Sequence, residues 1–374
     1  KYFPIWKEGV LTNDCIVIAD NVTASNKNTI IEGNRRVIHA RFSDALYFWN
    51  TDCKSPLEHY VSQLDTVIFQ KGLGTLLDKT TRLQQLVKKL NQENGLKLEE
   101  NELDRSAYLC KADLVTQMVY EFPVLQGVIG SFYAKKTESD VVVSAIRDHY
   151  LPLQSQGKLP DSPMGAVLAL ADRIDTIVAC YVNDQIPTSS KDPLGVRRAM
   201  LGMLAILDRF QWSINLEELI NFSYSCFGKG ESNKDQLRSF FLLRVKHYIM
   251  ESGISHDIAD AVLCHGMTDF LGSLSRAKAL MSYAKTDYDG YKRLVDAGGR
   301  CITILKKDHV GEVSRKGAIN PDLFEHDSEG VLFQAVTGVS ESPALTDLET
   351  LVPVIETYFD AVMVMDDDEM VRHN

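Results

Sequence analysis

The sequence predicts a mainly α chain with one short β hairpin at its N-terminus. Three observations carry that reading. Apolar residues recur at three- and four-residue spacing from about residue 28 onward. Those runs are bounded by helix-start and helix-stop residues, such as Ser162-Pro163 and Asn94-Gly95. Two-residue alternation is confined to residues 1–20, where Gly9 marks a turn and residues 15–19 (CIVIA) read as a strand.

Taken in order, the first helix starts near Asn28 and carries Ile38, Phe42, Ala45, Leu46 and Trp49 on one stripe. Ser55-Pro56 opens the next, with Leu57, Tyr60 and Leu64. Gly72 and Gly74 break the chain, and Thr75 with Asp78 has the form of a capping box for a helix over 76–90. A helix over about 100–122 ends at Pro123, and Ser139-Asp140 opens one that runs to Tyr150. A polar loop over 152–161 leads to residues 162–207, the stretch that organises the middle of the chain. There Ser162 is the N-cap and Pro163 the first helical residue. Val167, Leu170, Ile174, Ile177 and Val178 share a face, interrupted by Asp172, Arg173 and Asp175. A second helix starts near Asp192-Pro193 with Arg197 and Arg198 in its first turn, and it carries Val196, Met200, Met203, Leu204 and Leu207 inward. Further helices are predicted over 216–224, 234–251, 257–264, 271–283, 288–306, 323–336 and 347–372. GKGESN at 228–233 is the clearest linker.

A chain of 374 residues exceeds one small core, and its 45% hydrophobic and 24% charged content is that of a folded protein. No window of eighteen apolar residues occurs, so no membrane span is expected. The net charge of −11 argues against broad nucleic-acid binding but leaves room for a local basic face. The seven cysteines show no CxxC and read as reduced residues of a cytoplasmic protein. The chain opens on KYFPIW and stops inside a helical pattern at MVRHN, so a portion of a longer protein is expected.

Two constellations carry chemistry. The first has the local pattern of a helical metal-phosphohydrolase of the HD type, in which imidazole and carboxylate hold a water-activating ion. DKTTRLQQL, LCKADLVTQ and LALADRIDTI have the form of its three helices. Lys79 stands where the first His belongs and Ala112 where the second does, so only Asp113 and Asp172 remain. An ammonium repels a metal, which predicts a degenerate HD-like scaffold with no metal and no catalytic residue. An active HD-type phosphohydrolase is the alternative. Plainer still, the charges of ADRID sit on a solvated helix face, which needs no function. The His256-Asp257 dipeptide reads as the first turn of a short helix capped by Ser255, and His149 belongs to no ligand spacing.

The second is a basic face over 290–316. Lys292, Arg293, Arg300, Lys306, Lys307, Arg315 and Lys316 stand against Asp296, Asp308 and Glu312. Tyr288 and Tyr291 lie beside it, suited to stacking on unpaired bases. Arg197 and Arg198 oppose the helix dipole and call for an anion, either a carboxylate (Asp172, Asp175 or Asp184) or an RNA phosphate. The carboxylate is the favoured partner. The acidic run 366–369 reads as a solvated helix turn.

Seven segments then share one resemblance. EGNRRVIHARFSDALYFW, FQKGLGTLLDKTTRL, KADLVTQMVYEFPVLQGVIGSFYA, DHYLP, PMGAVLALADRIDT, PTSSKDPLGVRRAMLG and FDAVMVMDDDEMVRHN resemble, in order, the beta subunit of the bacterial-type α2β2 glycyl-tRNA synthetase, as its central and C-terminal portion. The resemblance implies a cytoplasmic subunit that binds glycine tRNA and the alpha subunit. The glycine site, with ATP and Mg, lies in that alpha subunit, so no cofactor is expected here. It implies a degenerate HD-like domain followed by a helical domain similar to the anticodon-binding domain of arginyl-tRNA synthetase, truncated at Asn374. The expected division is 1–55 as the end of a preceding domain, 56–227 HD-like, 228–267 linker, and 268–374 anticodon-binding-like. The expected tRNA contacts are Lys292, Arg293, Arg300, Lys306, Lys307, Arg197 and Arg198. GGRCITILKK departs from the family's usual run, and Gly298 and Gly299 weaken that helix.

Overall fold

The N-terminal alternation folds as an antiparallel pair, β1 (Tyr2–Lys7) and β2 (Val10–Val17), with Tyr2 opposite Val17 and Lys7 opposite Val10. Glu8 and Gly9 form the turn at φ 49° and 78°, the left-handed geometry that two-residue hairpins favour. The computed structural model describes residues 2–362 apart from 155–156, 189–191, 193, 230–231, 265, 267, 308–318 and 340–343, with 304–307 described by backbone alone. Among the described residues, everything after the hairpin is helix, 3-10 helix or connection, apart from isolated bridge residues, with Ile68 paired antiparallel to Thr75. The chain divides into two compact units, Lys1–Arg238 and Ser239–Asn374.

The first unit holds α1 (Lys27–Asp52), α2 (Leu76–Glu93), α3 (Glu100–Leu109), α4 (Gln117–Glu121), α5 (Val128–Ala134), α6 (Asp140–Asp148), α7 (Pro163–Val182), α8 (Val196–Phe210) and α9 (Leu216–Cys226). Three predicted caps are made, at Thr75, Ser139 and Ser162, whereas the helix starts at Ser55-Pro56 and Ser255 have no side-chain cap bond. Thr75 Oγ1 accepts from the Asp78 N–H at 3.3 Å while the Asp78 carboxylate takes the Thr75 N–H at 2.7 Å. Ser139 and Ser162 accept from Val142 and Gly165.

The stripe on α1 is less buried than predicted: Ile38, Ala45 and Trp49 are half-buried, whereas Phe42 and Leu46 are exposed. Near its C-terminal end α1 meets α4, and Trp49 lies against Phe132 and Tyr133. The predicted helix over 100–122 is in fact three pieces, α3, a 3-10 turn (Ala112–Val115) and α4. Thr116 breaks it by turning extended and capping Val119. Buried Asp52 secures the break. Its Oδ1 accepts the Gln117 N–H at 3.1 Å, and its Oδ2 accepts the Met118 N–H at 3.0 Å and the Tyr133 hydroxyl at 2.9 Å. Asp52→Asn turns one acceptor into a donor that faces these donors. Urea denaturation is expected to show a loss of about 1–2 kcal/mol. An unchanged midpoint would mean that the break does not depend on this carboxylate.

The centre of the unit is α7, which packs against α2, α6, α8 and α9. Nearly every residue from Met164 to Tyr181 is buried, so it is apolar all round and not along one face. Gly202 of α8 matters for space alone. A Cβ there would stand 3.0 Å from the Arg173 side chain and 3.2 Å from Pro152.

The second unit contains most of α10 (Lys234–Glu251), which crosses the division, then α11 (His256–Leu263), α12 (Phe270–Thr286), α13 (Tyr288–Lys307), α14 (Asp327–Thr337) and α15 (Leu345–Ala361). The helix predicted over 323–336 begins later, because Asn320-Pro321 first makes a 3-10 turn that Asn320 caps. The helix continues through Gly298 and Gly299.

A buried charge cluster and an exposed basic helix

The charges of ADRID are not solvated, which corrects the plain reading of that stretch. Asp175 is fully buried, Arg173 is 8% exposed, and Lys79 and Lys111 are each 3% exposed. Lys79 Nζ lies 2.8 Å from Asp175 Oδ2, 3.0 Å from Thr176 Oγ1 and 3.0 Å from Asp172 Oδ1. The last contact is an ion pair whose angle does not make a directed hydrogen bond. Lys111 Nζ lies 2.9 Å from Asp172 Oδ2 and 3.0 Å from His149 Nε2, with the Tyr150 ring 4.0 Å away. Arg82 completes the group. Its Nε donates to Asp175 Oδ1 at 2.6 Å, and its guanidinium lies over Phe227 at 4.2 Å. Each ammonium therefore has three partners, and charged groups buried in this way persist because they are paired.

Arg173 holds the loop that delivers His149. It donates to the carbonyls of His149 (3.2 Å), Ala169 (3.0 Å), Tyr150 (3.1 Å) and Pro152 (3.2 Å). Burial pulls its pKa down to about 10, against the attraction of Asp172. Burial alone would raise Asp172, but Lys111 and Lys79 outweigh it and hold the carboxyl well below the usual range. His149 is pushed down to about 3, by burial first and the Lys111 charge second. Neutral imidazole with Nδ1 donating to the Ile146 carbonyl at 2.6 Å leaves Nε2 free to accept from Lys111.

These shifts set a pH dependence with a definite sign. His149 is neutral in the fold but titrates near 6.5 when unfolded, so its stabilisation is present above 6.5 and lost as pH falls towards 3. Asp113 acts the other way. Burial raises it to about 6, so its contribution is present below 3.8 and lost as pH rises through about 6. The two oppose one another between those limits. His149→Gln isolates the histidine. The stability of the parent relative to that variant is expected to shrink below pH 6.5 by up to about 1.4 kcal/mol per pH unit. Urea midpoints between pH 4.5 and 7.5 read this directly, and a constant difference would contradict a neutral buried His149.

The four sequence-predicted positions do not act as a set. Lys79 and Asp172 meet, as above. Asp113 turns away. Its Oδ2 accepts the N–H groups of Gly127 (2.6 Å) and Gly130 (3.1 Å) at the start of α5, and its buried Oδ1 has no partner. Ala112 is core. Sequence reasoning missed Lys111, His149, Asp175 and Arg82. A signal existed for Arg82 and Asp175, which fall one turn from Lys79 and Asp172 on their helices. Nothing in spacing placed Lys111 against His149, because only the folded loop brings them together. His256 is exposed and shared between Lys246 and Asp260. Among the described residues, no group of three His, Cys, Asp or Glu side chains is placed to hold a metal. With ammonium groups on Asp172, the phosphohydrolase alternative has no support.

Arg197 and Arg198 do not meet the expected carboxylates. Asp172 and Asp175 are taken by the cluster, and Asn233 donates to Asp184. Arg197 donates instead to the Thr188 carbonyl. Asp192 stabilises this helix start by accepting the Val196 and Arg197 N–H groups at 2.8 and 3.1 Å, while Arg198 is exposed. In the second unit, α13 presents exposed Lys292, Arg293 and Arg300. Arg293 forms a two-pronged pair with Glu356 (Nε to Oε1 3.0 Å), and Arg300 Nη1 lies 4.0 Å from Asp360. Tyr288 is 66% exposed, whereas Tyr291 is half-buried with its ring edge-on to Tyr283. Lys306 and Lys307 end the helix with side chains outside the described residues, as are Arg315, Lys316 and the run 366–369.

No described helix is long and apolar enough to cross a membrane. The family described as glycyl-tRNA synthetase beta subunit matches residues 1–264. The glycine–tRNA ligase beta subunit of Bacillus subtilis (strain 168) is 35% identical over all of this chain and 55% of its own length. The same subunit of Clostridioides difficile (strain 630) is 36% identical, again over all of this chain and 55% of its own. The chain thus spans about half the length of the curated relatives it matches. With the ordered segments and these matches in agreement, the chain belongs to the glycyl-tRNA synthetase beta-subunit family.

Proposed function

We propose that this chain is a non-catalytic, tRNA-binding part of a cytoplasmic glycine–tRNA ligase. It supports glycylation of glycine tRNA at a site on the alpha subunit, where ATP and Mg act. Residues 56–227 serve as a degenerate HD-like scaffold, and the stretch from residue 268 serves as part of an anticodon-binding-like helical domain. The observation that carries the reading is the exposed cationic side of α13, Lys292 with Arg293 and Arg300 beside Tyr288, in a chain of net charge −11. Phosphates supply the matching charge, and an exposed aromatic ring gives a base a surface to stack on. The buried cluster supports the non-catalytic part, since its polar atoms are spent on one another. Gel-shift titration with glycine tRNA and a non-cognate tRNA tests the proposal. Preferential binding of glycine tRNA is the expected result. Equal weak binding to both would leave the chain as a structural partner of the alpha subunit.

A further inference from the structure

We propose that Lys111 occupies a latent divalent-cation site, with its ammonium standing in for the ion between His149 and Asp172. The inference does not depend on the tRNA-binding role. Lys111 Nζ lies 3.0 Å from His149 Nε2 and 2.9 Å from Asp172 Oδ2, almost equidistant from an imidazole nitrogen and a carboxylate oxygen. The imidazole is set as a ligating histidine is. Its Nδ1–H is bound to the Ile146 carbonyl at 2.6 Å, which fixes the tautomer and turns the Nε2 lone pair inward. The donor set of one imidazole and carboxylate oxygens suits zinc, cobalt or manganese.

Charge gives a second, independent argument. Lys79, Lys111 and Arg82 stand against Asp172 and Asp175, an excess of one positive charge. Replacing Lys111 by a glutamate and adding a dication leaves that excess unchanged. Reach agrees. A glutamate carboxylate oxygen ends one covalent bond short of the lysine nitrogen, so an ion near the Nζ position falls within coordinating distance. His149 and Asp172 then need to close by about 0.9 Å and about 0.8 Å to reach metal–ligand lengths of about 2.1 Å. Lys79 keeps Asp175 and Thr176, and so holds the far side of the site.

The test is Lys111→Glu in the 374-residue chain, with Zn2+ and Co2+ as probes. Without metal the variant melts well below the parent, because two carboxylates then face each other in a buried site. A hundredfold excess of Zn2+ over its Kd is expected to raise its melting temperature by roughly 5–10 °C, and EDTA to reverse this. The parent should respond to neither. One Co2+ per chain, with visible absorption bands that vanish in Lys111→Glu/His149→Ala, locates the ion. A folded Lys111→Glu chain that takes no ion, or bands that survive loss of His149, would overturn the proposal. If Lys111→Glu folds neither alone nor with Zn2+, Lys111→Ala decides. It leaves Nε2 and Oδ2 facing vacated volume without added charge, and is expected to bind Co2+ more weakly. No Co2+ binding there overturns the proposal as well.

Discussion

Asp172→Ala is expected to lower the stability of the first unit by about 3–5 kcal/mol, the cost of leaving buried charges without their partner. Two ammonium groups depend on this one carboxylate. Lys111 would keep only an imidazole nitrogen and a ring face, and Lys79 would keep Asp175 and Thr176. Neither lysine can reach water without moving, since each is 3% exposed. The attraction of both lysines holds the Asp172 carboxyl below its usual range, so its stabilisation is present above about pH 3.8 and lost as pH falls below it. Urea denaturation near neutral pH should therefore show the full loss. A triple replacement, Asp172→Leu with Lys79→Met and Lys111→Met, separates pairing from packing. Removing all three charges together should recover much of the loss, because apolar residues of similar volume often replace buried ion pairs without penalty. A single variant as stable as the parent would mean that the cluster contributes nothing net.

What was legible in the sequence follows from what is local. Caps at Thr75, Ser139 and Ser162 involve residues three apart, and each was read and is made. Strand alternation, too, is local, and it placed the hairpin within residues 1–20, although the strand read at 15–19 begins at Val10 and ends at Val17. The break at Thr116 was not read because it is secured by Asp52, far away in sequence. α5 was missed for a related reason, since buried Asp113 accepts its first N–H groups in place of a residue just before it. The candidate site divides along the same line. Lys79 and Asp172 were found from their place on patterned helices. Lys111 and His149 were not, because their meeting depends on the loop that Arg173 clamps. The apolar neighbours of ADRID read as one face of a helix, whereas α7 is buried nearly all round and its charges go in with it.

Replacing Lys292, Arg293, Arg300, Lys306 and Lys307 together by alanine is expected to flatten the salt dependence of tRNA binding by about two to three units in log K against log salt. Each phosphate contact contributes roughly 0.7–0.9 to that slope, and the expectation is that about three of the five touch RNA. At low salt such a change is a loss of several hundredfold or more, whereas the fold should change little, because Lys292, Arg293 and Arg300 are exposed on α13. The Glu356 and Asp360 pairs refine the expectation. Arg293 is already engaged by Glu356, so a phosphate must displace that carboxylate or bridge to the same guanidinium. Glu356→Gln removes the competing charge and keeps the shape. If Arg293 meets RNA, this variant binds glycine tRNA more tightly than the parent and with a steeper salt slope, and the gain disappears in Glu356→Gln/Arg293→Ala. If the pair serves only to join α13 to α15, the variant melts lower while its tRNA affinity and slope stay where they were. Lys292 has no ion pair among the described residues, so Lys292→Ala gives the uncompeted reference. Its loss should cost one contact's share of the slope, roughly 0.7–0.9, with no effect on the melt. A slope unmoved by all five replacements would place the tRNA path elsewhere on the chain.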